Sequence, residues 1–206
     1  PCLILVTDRS LCPPGHSLSS QVAQAVDGGV DLVQIREKDL SGRALLAIAQ
    51  EVREAIGDRA LLLVNDRVDV AIACKADGVQ LGEEGLPLEK ARSLVGPSML
   101  LGRSVHSVAG AVEAEADGAD FLVVGSIFPS ASHPGVQPAG LGLLEQVHRA
   151  VGIPYLAIGG ITAESVEGVM QAGASGVAVI RPIQSAQEPT KAAEGLRRAM
   201  LAAWLQ

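Results

Sequence analysis

Eight short apolar runs recur along the chain, at residues 3–6, 32–35, 61–64, 78–81, 100–104, 121–124, 155–158 and 176–180. Each is almost continuously apolar rather than alternating, as a strand buried on both faces should be. Stretches rich in Ala, Leu and Glu lie between them with helical patterning. Examples are 41–56, 107–117 and 163–172, with Ser41, Ser107 and Thr162 placed to cap their N-termini. Strand and helix alternating throughout call for parallel βα units. A weak repeat reinforces this reading. Gly29-Val30-Asp31, Ala76-Asp77-Gly78, Gly118-Ala119-Asp120 and Gly173-Ala174-Ser175-Gly176 each lead into an even-numbered run. Asp31 to Asp77 is 46 residues and Asp77 to Asp120 is 43, about the length of two βα units. The expectation is an α/β fold, a (β/α)8 TIM barrel formed as one domain over residues 1–206. A doubly wound open sheet would carry a glycine-rich phosphate loop after its first strand, and none follows residues 3–6.

Composition narrows the function classes. Hydrophobic residues make up 48% of the 206, but only four are Phe, Tyr or Trp, so the core must be aliphatic. A formal charge of −7 argues against nucleic acid as a partner. Any cationic cluster is then a local feature set against the global sign. Cys2, Cys12 and Cys74 have no metal-ligand spacing and fit a reducing, cytoplasmic setting. No signal-like segment and no apolar run near 18 residues is present, so neither secretion nor membrane insertion is expected.

In a barrel of this kind, ligands bind where the strands end. Gln34, Arg36 and Lys38 are spaced two apart, which on a strand puts an amide and two cations on one face. That set suits a phosphate or diphosphate; ordinary surface charge at a strand end is the other reading. Asn65-Asp66 offers an amide and a carboxylate after the third run. Asp66 can ligate Mg²⁺ together with substrate phosphates, or cap a helix starting near Val68. Gly159-Gly160 after the seventh run and Ile180-Arg181-Pro182 after the eighth have the form of a backbone phosphate cradle. Residues 128–135 are rich in chain breakers and suit a flap over a ligand, and His106 reads as a structural histidine.

Taken in order, Val33-Gln-Ile-Arg-Glu-Lys38, Val64-Asn-Asp-Arg-Val-Asp69, Ala76-Asp-Gly-Val-Gln-Leu-Gly82, Ser104-Val-His-Ser107, Gly118-Ala-Asp120 and Ala157-Ile-Gly-Gly-Ile-Thr162 resemble the thiamin phosphate synthase and thiazole tautomerase superfamily. The motifs cover nearly the whole chain. The resemblance implies an enzyme of thiamine biosynthesis, a transferase joining hydroxymethylpyrimidine diphosphate to thiazole phosphate with loss of pyrophosphate. It implies that Gln34, Arg36, Lys38 and Asn65 hold the pyrimidine diphosphate, that Ser104 contacts its pyrophosphate, and that Asp66 ligates Mg²⁺. Ser130 and Ser132 match a Thr-x-Thr element at the thiazole phosphate, beside Gly160, Ile180 and Arg181. The resemblance implies Arg36, Lys38, Ser104 and His133 as the catalytic set, and it is compatible with a homo-oligomer.

The chain departs from the synthase pattern at three places. Gly85 stands where a second Mg²⁺-binding aspartate is usual, with Glu84 or Glu83 as the nearby substitute; Glu84 is taken as the second metal ligand. His133 replaces a flap lysine, and Arg181 replaces a serine. Gln80 and residues 102–107 look closer to the tautomerases, which isomerise a thiazole carboxylate phosphate, yet Ser126 occupies the position of their catalytic histidine. The synthase is the favoured reading. The alternatives are a tautomerase and a non-catalytic barrel that binds thiazole phosphate.

Overall fold

In the computed structural model, which describes residues 1–130, 135 and 137–205, eight parallel strands close into a barrel in sequence order. They are β1 (Cys2–Val6), β2 (Leu32–Ile35), β3 (Leu61–Asn65), β4 (Gly78–Leu81), β5 (Leu100–Val105), β6 (Phe121–Val124), β7 (Tyr155–Ile158) and β8 (Gly176–Val179). The helices between them are α1 (Leu18–Asp27), α2 (Gly42–Ile56), α3 (Val68–Ala73), α4 (Leu88–Val95), α5 (Val108–Ala116), α6 (Leu141–Ala150) and α7 (Val166–Gln171). After β8 come a short α8 (Arg181–Gln184) and a long α9 (Pro189–Trp204), which packs on α1 and α7. The barrel read from the apolar runs is the fold observed.

Side-chain alternation explains why those runs are apolar throughout. On β1, Ile4 and Val6 point into the barrel, where they pack with Leu63, Phe121, Val123, Leu156 and Ala178. Leu3 and Leu5 point outward into the larger core shared with the helices, as do Val33, Leu62 and Val64. Both faces of every strand are therefore buried.

The Asp repeat has a structural cause. Asp31, Asp77 and Asp120 each accept a hydrogen bond from the backbone N–H at the start of the preceding strand: Leu3 at 2.8 Å, Leu62 at 2.7 Å and Leu101 at 2.7 Å. The N–H of each Asp donates back to the carbonyl of the same residue. Each carboxylate also takes an arginine: Arg197 on Asp31, Arg53 on Asp77 and Arg92 on Asp120. Ser175 keeps only the backbone half of the clasp, its N–H donating to Tyr155. These clasps close the N-terminal end of the barrel, the end that serves stability in this architecture.

Two sequence expectations shift at helix starts. Ser41 and Ser107 do cap α2 and α5, accepting from Ala44 and Gly110 N–H. Thr162 does not cap α7: its own N–H donates to Ser165 Oγ, residues 163–165 form a turn, and the helix starts at Val166. Ile180 leaves β8 because its backbone, at φ −114° and ψ −83°, has already turned toward α8.

Candidate active site

At the C-terminal ends of β2 to β5 the barrel interior turns polar. Gln34, only 4% exposed, donates from Nε2 to Asn65 Oδ1 at 2.9 Å. Asn65 Nδ2 in turn donates to Asp66 Oδ2 at 2.7 Å. Next to them, Gln80 Nε2 donates to Ser104 Oγ at 3.1 Å. The strand register explains the grouping, since Asn65 lies opposite Gln80 and Gln80 opposite Gly102. Gly102 leaves the room they need: a Cβ there would stand 2.1 Å from Gln80 Oε1 and 2.3 Å from the Phe121 ring. Gln34, Asn65, Asp66 and Ser104, four of the residues marked from sequence, thus sit around one mouth.

The cationic pair is placed differently from the strand argument. β2 ends at Ile35, so only Gln34 of the three lies on the strand. Arg36 and Lys38 follow in a non-strand segment bordering a cleft of about 710 Å³ beside Arg9, His16 and Glu51. Neither cationic side chain makes a hydrogen bond or ion pair with another described residue.

Asp66 does not cap α3. Its backbone is left-handed at φ 57°, and α3 begins without a side-chain cap. Instead of capping, the carboxylate accepts the Gly82 N–H at 2.7 Å and the Asn65 amide. A Cβ at Gly85 would stand 3.1 Å from Asp66 Oδ1, so a second acid there would face Asp66 directly. Glu83 turns away toward the start of α5, its Oε2 3.8 Å from His106 Nε2. Glu84 is exposed. Among the described residues no three acidic, His or Cys side chains converge. The Asp66 carboxylate alone is a hard-oxygen donor that fits Mg²⁺ shared with substrate phosphates, and not a protein cage; the neighbouring Asn65 turns its NH2 group to Asp66 and its oxygen to Gln34.

Across the mouth, the ends of β5 to β8 enclose a cavity of about 540 Å³ whose lining includes His106, Ser126, Ser130, Gly160, Ile180 and Arg181. Gly159 and Gly160 are both left-handed, at φ 101° and 63°. A Cβ on Gly160 would stand 2.4 Å from the Pro129 carbonyl, so glycine is required there by conformation and by space. Among the described residues, no hydrogen bond takes up the N–H groups of Gly159 or Gly160. His106 Nδ1–H donates to the Gly125 carbonyl, which fixes the ring's tautomer at the cavity rim. Ser132 and His133 lie outside the described residues.

Sequence reasoning missed the role of Glu37. It is 6% exposed and accepts from the Thr7 hydroxyl at 2.7 Å, the Arg9 N–H and the Arg9 guanidinium. Within Arg36-Glu-Lys-Asp39 it reads as one of several alternating surface charges, and only its distant partners single it out.

Comparison with known proteins fits this geometry. The sequence profile of the thiamine monophosphate synthase family matches residues 3–183. The thiamine-phosphate synthase of Methanoculleus marisnigri is 45% identical over 203 residues, covering 98% of this chain and 96% of its own length. That of Pyrococcus abyssi is 42% identical over 197 residues, covering 95% and 93%. Among solved structures, a thiamine phosphate pyrophosphorylase from Pyrococcus furiosus matches with a TM-score of 0.89 at 38% identity, over 98% of this chain and 96% of that one. A barrel with these two faces at its mouth, matched over nearly its full length by such relatives, belongs to the thiamine monophosphate synthase family.

Proposed function

We propose that this chain is a thiamine phosphate synthase, a single barrel domain that joins hydroxymethylpyrimidine diphosphate to thiazole phosphate and releases pyrophosphate. The observation that carries this reading is the pairing of two differently built subsites at one mouth. One is a polar set of amides and a carboxylate at the ends of β2 to β5, with the segment carrying Arg36 and Lys38 following directly after β2. The other is a largely apolar cavity with left-handed glycines offering backbone N–H groups. The first suits a heteroaromatic ring bearing a diphosphate, and the second a small ring bearing a monophosphate.

In this reading Gln34 and Asn65 orient the pyrimidine, while Arg36, Lys38 and Ser104 hold the diphosphate. The C–O bond to the diphosphate breaks with its electron pair leaving on pyrophosphate, and a resonance-stabilised pyrimidine cation remains. The thiazole nitrogen, held in the facing cavity by Ser130, Gly160, Ile180 and Arg181, donates its lone pair to that carbon. Positioning and charge stabilisation carry the rate, with no protein nucleophile. Asp66 would hold Mg²⁺, whose chemistry there is to neutralise charge on the departing pyrophosphate. Ser132 and His133 complete the proposed thiazole phosphate side. Ser126 weakens the tautomerase alternative, because a serine hydroxyl on the cavity wall is a poor base at neutral pH.

Asp66→Asn tests the assignment. Asn tolerates the left-handed backbone and still accepts the Gly82 N–H through its one oxygen, giving up only the exposed bond from the Asn65 amide, so the fold is kept while the charge is lost. Turnover of the two substrates should fall about a hundredfold with an unchanged melting temperature. Turnover within twofold of wild type would remove Asp66 from the mechanism.

A further inference from the structure

The segment that carries Arg36 and Lys38 has lost the support of the sheet, since the β1–β2 ladder ends with Val6 opposite Gln34. Side chains continue it. The Arg36 N–H donates to Thr7 Oγ1 at 3.0 Å, and the Thr7 hydroxyl donates to Glu37 Oε1 at 2.7 Å. The Glu37 carboxylate also takes the Arg9 N–H, at 3.1 and 3.2 Å, and Arg9 Nη1 at 3.0 Å. Arg9 reaches on to Asp39, with Nη1 2.7 Å from Oδ1 and Nη2 on Oδ2. Thr7 is fully buried and Glu37 nearly so.

The charge arrangement is as telling as the geometry. Arg36-Glu37-Lys38-Asp39 alternates in sign and sums to zero, so left alone its acids would neutralise its cations. Arg9 occupies both acids instead. Its effect is visible on Asp39, whose carboxyl the Arg9 hydrogen bonds hold down at about 2. Arg36 and Lys38 are left without a partner among the described residues and open onto the cleft.

We infer that Thr7, Arg9 and Glu37 form a clamp that positions Arg36 and Lys38 and keeps both cations unpaired for a diphosphate. These three are positioning residues. The inference rests on the proposed reading that Arg36 and Lys38 bind the diphosphate.

Binding of inorganic pyrophosphate in the presence of Mg²⁺, measured by calorimetry, separates the two levels. Arg36→Ala tests the underlying reading: unchanged affinity would sink that reading. Given a loss there, Glu37→Gln tests the clamp. Removing a negative charge near an anion site strengthens binding by electrostatics alone. The clamp predicts the opposite, a weakening of about tenfold, because a buried Gln cannot satisfy the Arg9 guanidinium and Thr7 together. Thr7→Val, neutral in charge, should weaken binding similarly, and Thr7→Ser should restore it to within about twofold. In steady-state kinetics the clamp variants should raise KM for the pyrimidine diphosphate and leave KM for thiazole phosphate unchanged, a split that general loss of structure would not produce. Equal or tighter pyrophosphate binding by Glu37→Gln, or Thr7→Val matching wild type, overturns the inference.

Discussion

Single residues in this barrel are legible when their constraint is local and hidden when it is tertiary. Gln34 stood out by its spacing with Arg36 and Lys38, and Asn65 as an amide beside Asp66 just after the third run, and the structure joins the two through a hydrogen bond. Asp66 stood out by type, but that it does not cap α3 follows only from tertiary structure, where its carboxylate takes the Gly82 N–H from the next strand's loop. Glu37 could not be read at all, because its partners Thr7 and Arg9 are remote in sequence. Gly102 belongs with these hidden constraints. Its missing Cβ is the space into which Gln80 and the Phe121 ring pack, both almost fully buried. Gly102→Ala should therefore destabilise the protein by about 1–3 kcal/mol through overpacking, read as a lower urea midpoint with an unchanged slope. A midpoint equal to wild type would show that the interior has slack the structure does not.

At the scale of elements, the apolar runs located the strands closely, because burial on both faces removes the ambiguity that a half-buried strand carries. Helix starts were less legible, as at α7, where a turn stabilised by Thr162 and Ser165 consumes residues that pattern alone assigns to the helix. The Asp repeat was visible as spacing, but its meaning was not. The carboxylates were expected only to mark entry turns, whereas they tie each odd strand to the next and recruit an arginine from a surrounding helix. Asp77→Ala would leave the Leu62 N–H and Arg53 without their partner. The expected cost is about 2 kcal/mol in equilibrium unfolding, with kcat and KM unchanged because the clasp lies at the end of the barrel away from the site. A variant of full stability, or one that loses activity while remaining folded, would contradict this division between the two ends.

On the scale of the whole molecule, closing eight strands into a ring sets two chemically different rims face to face. The rim from β2 to β5 brings amides, a carboxylate and the clamped cationic segment, and the rim from β5 to β8 brings glycine-rich loops and an apolar pocket. Neither rim alone accounts for a condensation; their apposition does. Among the described residues no helix is long and apolar enough to cross a membrane. Wild-type protein with hydroxymethylpyrimidine diphosphate, thiazole phosphate and Mg²⁺, assayed in the same samples for thiamine phosphate and pyrophosphate, gives the most direct test. The account predicts equimolar formation of both products, abolished by omitting either substrate or by chelating the metal. Binding of both substrates with no thiamine phosphate formed would contradict it.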